Sequence, residues 1–220
     1  MKLEIAIKKN YSDFNLDIKF VVYDNTVVLF GPSGSGKSTI LSIIAGLLSP
    51  DIGEIVFCGQ YLFSTNKNIN LMPQKRKIGY IFQDHPLFPH FTVRENIEFS
   101  AKQYPIKQKQ ELVDHLISEF KIQNIAYKYP RQISGGQKQK VIFAQILASK
   151  PNILLLDEPF TALDFETKVE IKDILKKFQK KFFLPTILVT HDIYEACSIA
   201  HTILFINNGH ITKKEFISEL

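Results

Sequence analysis

Apolar and polar residues alternate along the first thirty positions. LEIAI (3–7) and FNLDIKFVV (14–22) put every second side chain on one face, as half-buried antiparallel strands do. TVVLF (26–30) is apolar throughout, the mark of a strand covered on both faces. The glycine-rich GPSGSGKST follows, and ILSIIAGLL continues as a buried helix. PDIG predicts a turn, EIVFCG a strand, residues 59–77 a polar irregular segment and IGYIF (78–82) a short buried strand.

From Thr92 to about Lys150 the β pattern stops. Thr92 with Glu95 reads as a capping box opening a helix over VRENIEFSAKQY. KQKQELVDHLISEF is amphipathic, with Leu112, Leu116, Ile117 and Phe120 at helical spacing. KQKVIFAQILAS is another helix. The α/β pattern then resumes: NILLL (152–156) and TILVT (186–190) are buried strands, FETKVEIKDILKKFQKKF and DIYEACSIA are helices, and TILFINNGHIT is a hairpin about Asn-Asn-Gly. Strands alternating with helices predict an α/β core with a mostly parallel sheet, and the glycine-rich GPSGSGKS between strand and helix makes it a P-loop core. It carries an N-terminal antiparallel β subdomain and an inserted helical subdomain. The expected organisation is one domain over 1–220, with 1–87 and 151–220 as the core and 88–150 as the helical insertion.

The composition narrows the function. A net charge of +5 over 220 residues is spread and interleaved with acids, so it reads as a solvated lysine-rich surface and not a nucleic-acid arm. A basic face toward anionic lipid is the other reading of the same charge. Cys58 and Cys197 sit in apolar contexts without metal-ligand spacing and read as buried free thiols. The N-terminus lacks the apolar stretch of a signal peptide, and no segment is long enough to span a bilayer. A soluble, cytoplasmic protein that meets a membrane through a partner is the expectation.

The candidate chemistry sits at predicted element ends. GPSGSGKS (31–38) fits G-x-x-x-x-G-K-[ST] between a strand and a helix. Gly31, Pro32, Ser33, Gly34, Ser35 and Gly36 form the loop. Backbone N–H groups from about Ser33 to Thr39 would wrap a β-phosphate, Lys37 would reach the β- and γ-phosphates, and Ser38 would hold Mg²⁺. In ILLLDEP, Asp157 ends a buried strand and suits a magnesium site, and Glu158 suits a general base for the attacking water. Gln83 follows IGYIF; it is either a solvent-facing amide or a group for Mg²⁺ or the lytic water. His191 follows TILVT and is either structural or a donor to the γ-phosphate. Ser134, Gly135, Gly136 and Gln137 make a second anion cradle: a capping box with glycines at a helix N-terminus.

The order of phosphate loop, Gln83, SGGQ, LLLDEP, TALD and His191 resembles the nucleotide-binding subunit of ATP-binding cassette (ABC) transporters across essentially the whole chain. SGGQ is the most specific part. The resemblance implies ATP and Mg²⁺ as cofactors and a head-to-tail homodimer in which Ser134–Gln137 of one chain meet the nucleotide held by the other. It also implies a D-loop ending at Asp164 and an N-terminal aromatic on adenine, Tyr11 first and Phe14 next. LFPHFTV after Gln83 resembles importer ATPases, where it receives an integral membrane permease; a periplasmic or lipoprotein solute-binding protein follows indirectly. INLMPQKRKIGYIFQD looks most like the molybdate and related oxyanion importers. Those proteins usually carry a C-terminal regulatory β-barrel, which is not expected in a chain ending at Leu220. Two positions depart from the family pattern: Lys140 stands for the usual arginine, and Ile133 for the usual leucine. An exporter, a lipoprotein-release ATPase and a non-transport ABC ATPase are the competing classes.

Overall fold

The computed structural model describes residues 1–12, 14–161 and 163–217. Ala162 of TALD and the end of the terminal KKEFISEL stretch lie outside them. The chain divides into two compact units, one of residues 1–80, 152–158 and 179–220, the other of 81–151 and 159–178.

The first unit is built on a sheet. Its strands are β1 (Leu3–Asn10), β2 (Asn15–Val22), β3 (Thr26–Phe30), β4 (Ile52–Phe57), β5 (Gln60–Ser64), β6 (Ile69–Asn70), β7 (Ile78–Ile81), β8 (Ile153–Asp157), β9 (Thr186–Thr190), β10 (Thr202–Asn207) and β11 (His210–Phe216). Their order is β6-β5-β4-β1-β2-β11-β10-β3-β9-β8-β7. One half, β6 to β2, is antiparallel, and the run β10-β3-β9-β8 is parallel. β2 alternates exposed and buried along its length, so one face is wet. β8 and β9 are buried at every position, which is why they read as unbroken apolar runs. Helix α1 (Lys37–Ala45) buries Ile40, Leu41, Ile43 and Ile44 in the same core as Leu29, Leu155 and Val189.

The second unit is helical. Helices α2 (Val93–Ser100), α3 (Ile106–Glu119) and α4 (Gly135–Ala148) belong to it, with the first part of α5 (Phe165–Phe182); α6 (Ile193–Ile199) belongs to the first unit. Thr92 and Glu95 form the capping box at α2, and Ser134 and Gln137 the one at α4. The stripe on α3 is Val113, Leu116, Ile117 and Phe120, with Leu112 only half-buried.

Three local readings are corrected. PDIG is not a turn, because β4 begins at Ile52 and Gly53 pairs with Ile7. Gly53 has φ +133°, and a Cβ there would sit 2.1 Å from the Ala6 carbonyl oxygen, so this close pairing needs a glycine. Residues 59–77 are not irregular: β5 and β6 extend the antiparallel half, too short to show a period. Cys58 and Cys197 are exposed, not buried. Cys58 lies in the two-residue turn between Phe57 and Gln60, and the buried face of α6 is Ala196 and Ile199.

Candidate nucleotide site

The register of the parallel strands assembles the first half of the site. Phe30 pairs with Thr190, and Asp157 with Val189, so β3, β8 and β9 end level. The phosphate loop, Glu158 and His191 therefore leave one carboxyl edge, where open α/β sheets place ligands.

The loop enters α1 through Gly36, whose φ of +98° is costly for any other residue. A Cβ there would lie 2.6 Å from Phe14 Cζ. Phe14 is thus the N-terminal aromatic that touches the loop. Tyr11 is 40% exposed and lies 5.9 Å from the Phe14 ring, centroid to centroid. Among the described residues no side chain caps α1, unlike α2, α4 and α6. Its first-turn N–H groups point where an anion would bind. Lys37 is buried and folds back on the loop, donating to the carbonyls of Gly31 at 2.9 Å and Pro32 at 2.7 Å. Burial pulls its ammonium below the usual lysine range, against the pull of Glu158 and Asp157.

Ser38 Oγ donates to Asp157 Oδ1 at 3.1 Å. Burial raises the Asp157 carboxyl, partly offset by that donation, while the Glu158 charge raises it further. A hydroxyl and a buried carboxylate side by side are hard oxygen donors of the kind Mg²⁺ takes. Tyr80 also hydrogen-bonds Asp157, and burial pushes its phenol up to about 12. Sequence reasoning overlooked Tyr80, although a tyrosine in a buried strand must find a partner for its hydroxyl. Glu158 Oε1 lies 3.0 Å from His191 Nδ1. The His191 turn is fixed by Asp192, which caps α6, and by Thr190 Oγ1, which donates to buried Glu195 at 2.9 Å.

The second unit holds the other predicted residues. Gln83 is exposed, two residues past β7. Ser134 Oγ accepts from the Gln137 N–H at 3.3 Å, and Gln137 Oε1 accepts from the Ser134 N–H at 3.0 Å. Asp164 accepts from the Thr167 N–H at 2.9 Å, and a Cβ on Gly136 would lie 3.8 Å from Asp164 Oδ2. The SGGQ and D-loop segments thus meet within one unit. Lys140 pairs with Glu170, which also takes Lys121. Its charge is engaged inside its own chain.

Residues 13–161 match the family described as ABC transporter. The chain is 34% identical over 209 residues to the molybdenum import ATP-binding protein ModC of Paramagnetospirillum magneticum, covering 95% of this chain and 58% of that protein. It is 42% identical over 210 residues to the sulfate/thiosulfate import ATP-binding protein CysA of Synechocystis, covering 93% and 58%. Its fold matches the dimeric post-hydrolysis state of the ATP-binding cassette MJ0796 bound to ADP and Pi, with a TM-score of 0.83, 27% identity and full coverage of both chains. This chain belongs to the ABC transporter family. It spans about three-fifths of the length of the molybdenum and sulfate import relatives it matches.

Proposed function

We propose that this chain binds and hydrolyses ATP as the nucleotide-binding subunit of an ABC importer, peripheral to the cytoplasmic face of the membrane. Among the described residues no helix is long and apolar enough to cross a bilayer, so a permease would supply the membrane part. The observation that carries the reading is the level ending of β3, β8 and β9. It brings an uncapped helix N-terminus, the Ser38–Asp157 pair and the Glu158–His191 pair to one edge.

The roles follow from the chemistry. Loop N–H groups from Ser33 to Thr39 cradle phosphate oxygens, and Lys37 exchanges its loop carbonyls for the β- and γ-phosphates. Ser38 and Asp157 hold Mg²⁺, with Gln83 added on the family resemblance alone. When bound, the metal neutralises charge that develops on the transferred phosphoryl group. Glu158 orients water and accepts its proton, and His191 holds the Glu158 carboxylate before turning to the γ-phosphate. Phe14 and Tyr11 are the aromatics offered to adenine. Two copies pack head to tail, so that Ser134–Gln137 and Asp164 of one complete the site of the other. The core and the helical insertion act as one ATPase domain.

The transported solute is proposed to be a tetrahedral oxyanion. The molybdenum and sulfate relatives both point there, and identity alone does not separate them. The test has two arms. Purified protein with Mg²⁺ should release phosphate from ATP, and Lys37→Ala should not. With its permease in liposomes, the complex should take up radiolabelled molybdate or sulfate on ATP addition. ATP-driven uptake of a sugar or amino acid, with no oxyanion uptake, would sink the substrate class while leaving the ATPase standing.

A further inference from the structure

Gln139 lies on α4, just past the SGGQ stretch. Its Nε2 donates to the carbonyl of Pro159 at 2.7 Å. Proline has no N–H, so this carbonyl is the residue's whole backbone hydrogen-bonding capacity. Neighbouring positions on α4 meet the same segment. A Cβ on Gly136 would lie 3.5 Å from Thr167 Oγ1, Lys140 pairs with Glu170, and the Phe143 ring stacks on Phe160 with centroids 6.3 Å apart. Positions 136, 139, 140 and 143 recur at helical spacing, so one face of α4 is fastened to residues 159–170.

Pro159 is peptide-bonded to Glu158. Glu158 has φ +47°, the left-handed region that a residue with a side chain enters only at a cost in backbone strain. Such a conformation persists only when its surroundings hold it. On one side the Glu158 N–H donates to the Val189 carbonyl at 3.0 Å. On the other, the next carbonyl along the chain is held by Gln139.

We propose that Gln139 is a positioning residue for Glu158: by holding the Pro159 carbonyl it keeps the general base in its strained turn. A second consequence rests on the two-chain site proposed above. The helix that meets one nucleotide through SGGQ is tied, in its own chain, to the base that serves the other nucleotide. Gln139 then couples the two sites of the dimer, with its effect confined to Glu158 of its own chain.

The first test separates kcat from KM. Gln139→Met removes the donor, and Gln139→Glu sets a carboxylate against the carbonyl. Both should lower kcat by about tenfold or more while KM for ATP stays within about twofold, the pattern of a group that matters in the transition state. Unchanged kcat in both variants, or a loss confined to KM, would overturn the proposal.

The second test uses mixed dimers. One protomer carries Glu158→Gln, so only the other protomer's base can act. Gln139→Met is then placed on either protomer, and phosphate release is followed in a single turnover. Slowing is expected only when Gln139→Met shares a chain with the intact Glu158. Slowing only in the opposite arrangement would assign Gln139 to the SGGQ contact, and equal slowing from either chain would make it merely structural; both overturn the proposal. If Glu158→Gln chains do not dimerise with ATP, the two-chain reading fails, while kcat of the Gln139 variants still decides the tie to Glu158.

Discussion

The Ser38 hydroxyl and the Asp157 carboxylate, 119 residues apart in sequence, meet at 3.1 Å. The pairing joins the phosphate loop to the end of β8 and leaves a buried carboxylate whose proton affinity is raised, mainly by burial. Without a cation the ionised form is a liability. Asp157→Asn should therefore stabilise the metal-free protein, with a Tm higher by roughly 2–4 °C, as about 1 kcal/mol gives in a chain of this size. The pH dependence has a definite sign. A carboxyl raised in the folded state costs stability as pH climbs from its unfolded value through its folded one. Asp51, Glu95, Asp164 and Glu170 are lowered and run the other way. The difference in Tm between variant and parent isolates Asp157: it should grow with rising pH and shrink on adding Mg²⁺ and ATP. A difference that falls with pH would contradict the assignment.

Arg76 closes the other end of α1. It is buried and donates to the carbonyls of Ile43 at 3.0 Å, Ile44 at 2.7 Å and Leu71 at 2.9 Å, and to Asn70 Oδ1 at 2.9 Å. Burial pulls the guanidinium down to about 10. A lysine cannot reproduce this fork, and it sheds its proton more readily when buried. Arg76→Lys should cost about 2 kcal/mol or more, from hydrogen bonds to a charged group lost and carbonyls left unpaired. Thermal unfolding should show a Tm lower by roughly 4–8 °C. An unchanged Tm would remove Arg76 as the clamp.

Much of this was legible in the sequence, and the exceptions have physical causes. Long periodic or wholly apolar segments, such as α5, β3 and β9, announce themselves because burial dictates their composition. The positions of the phosphate loop, Asp157, Glu158, His191 and SGGQ at element ends were legible because turns, caps and strand ends leave few residue choices. Arg76 was hidden in the basic run PQKRK, where nothing local separates a buried guanidinium from its exposed neighbours. β5 and β6 are too short for a period to emerge. Tyr80 and Gln139 hydrogen-bond to partners distant in sequence, which only the folded chain brings to them.

Asn96 shapes the exposed aromatic loop after Gln83. Fully buried, it accepts from the Phe88 N–H at 2.8 Å and donates to the carbonyls of Phe91 at 3.1 Å and Thr92 at 2.9 Å. Phe88 is 40% exposed and packs on Phe91 and Phe99, an apolar patch of the kind that marks partner sites. Phe88→Asp should leave the isolated subunit folded, with its basal ATPase intact, and weaken permease co-purification. Asn96→Leu should weaken it too, at a stability cost of about 1–3 kcal/mol from groups left unpaired. Association unchanged by Phe88→Asp would take this loop out of the interface.

The two-chain site can be tested by mixing defects. Lys37→Ala chains combined with Ser134→Arg chains place both lesions in one composite site and leave the other intact. ATP-dependent assembly should appear in the mixture and in neither parent. Assembly no greater than that of the parents, followed by light scattering, would remove support for head-to-tail packing.

Glu158 carries the central claim, since it alone is assigned the proton of the attacking water. Glu158→Gln keeps the size and the hydrogen-bonding reach toward His191 but cannot act as a base. Phosphate release from MgATP is the direct measurement, with nucleotide binding and dimer formation followed in the same samples. The expected result is unimpaired ATP binding, a dimer that accumulates with ATP, and hydrolysis slower by about 10²–10⁴. Turnover near that of the unsubstituted chain would contradict it.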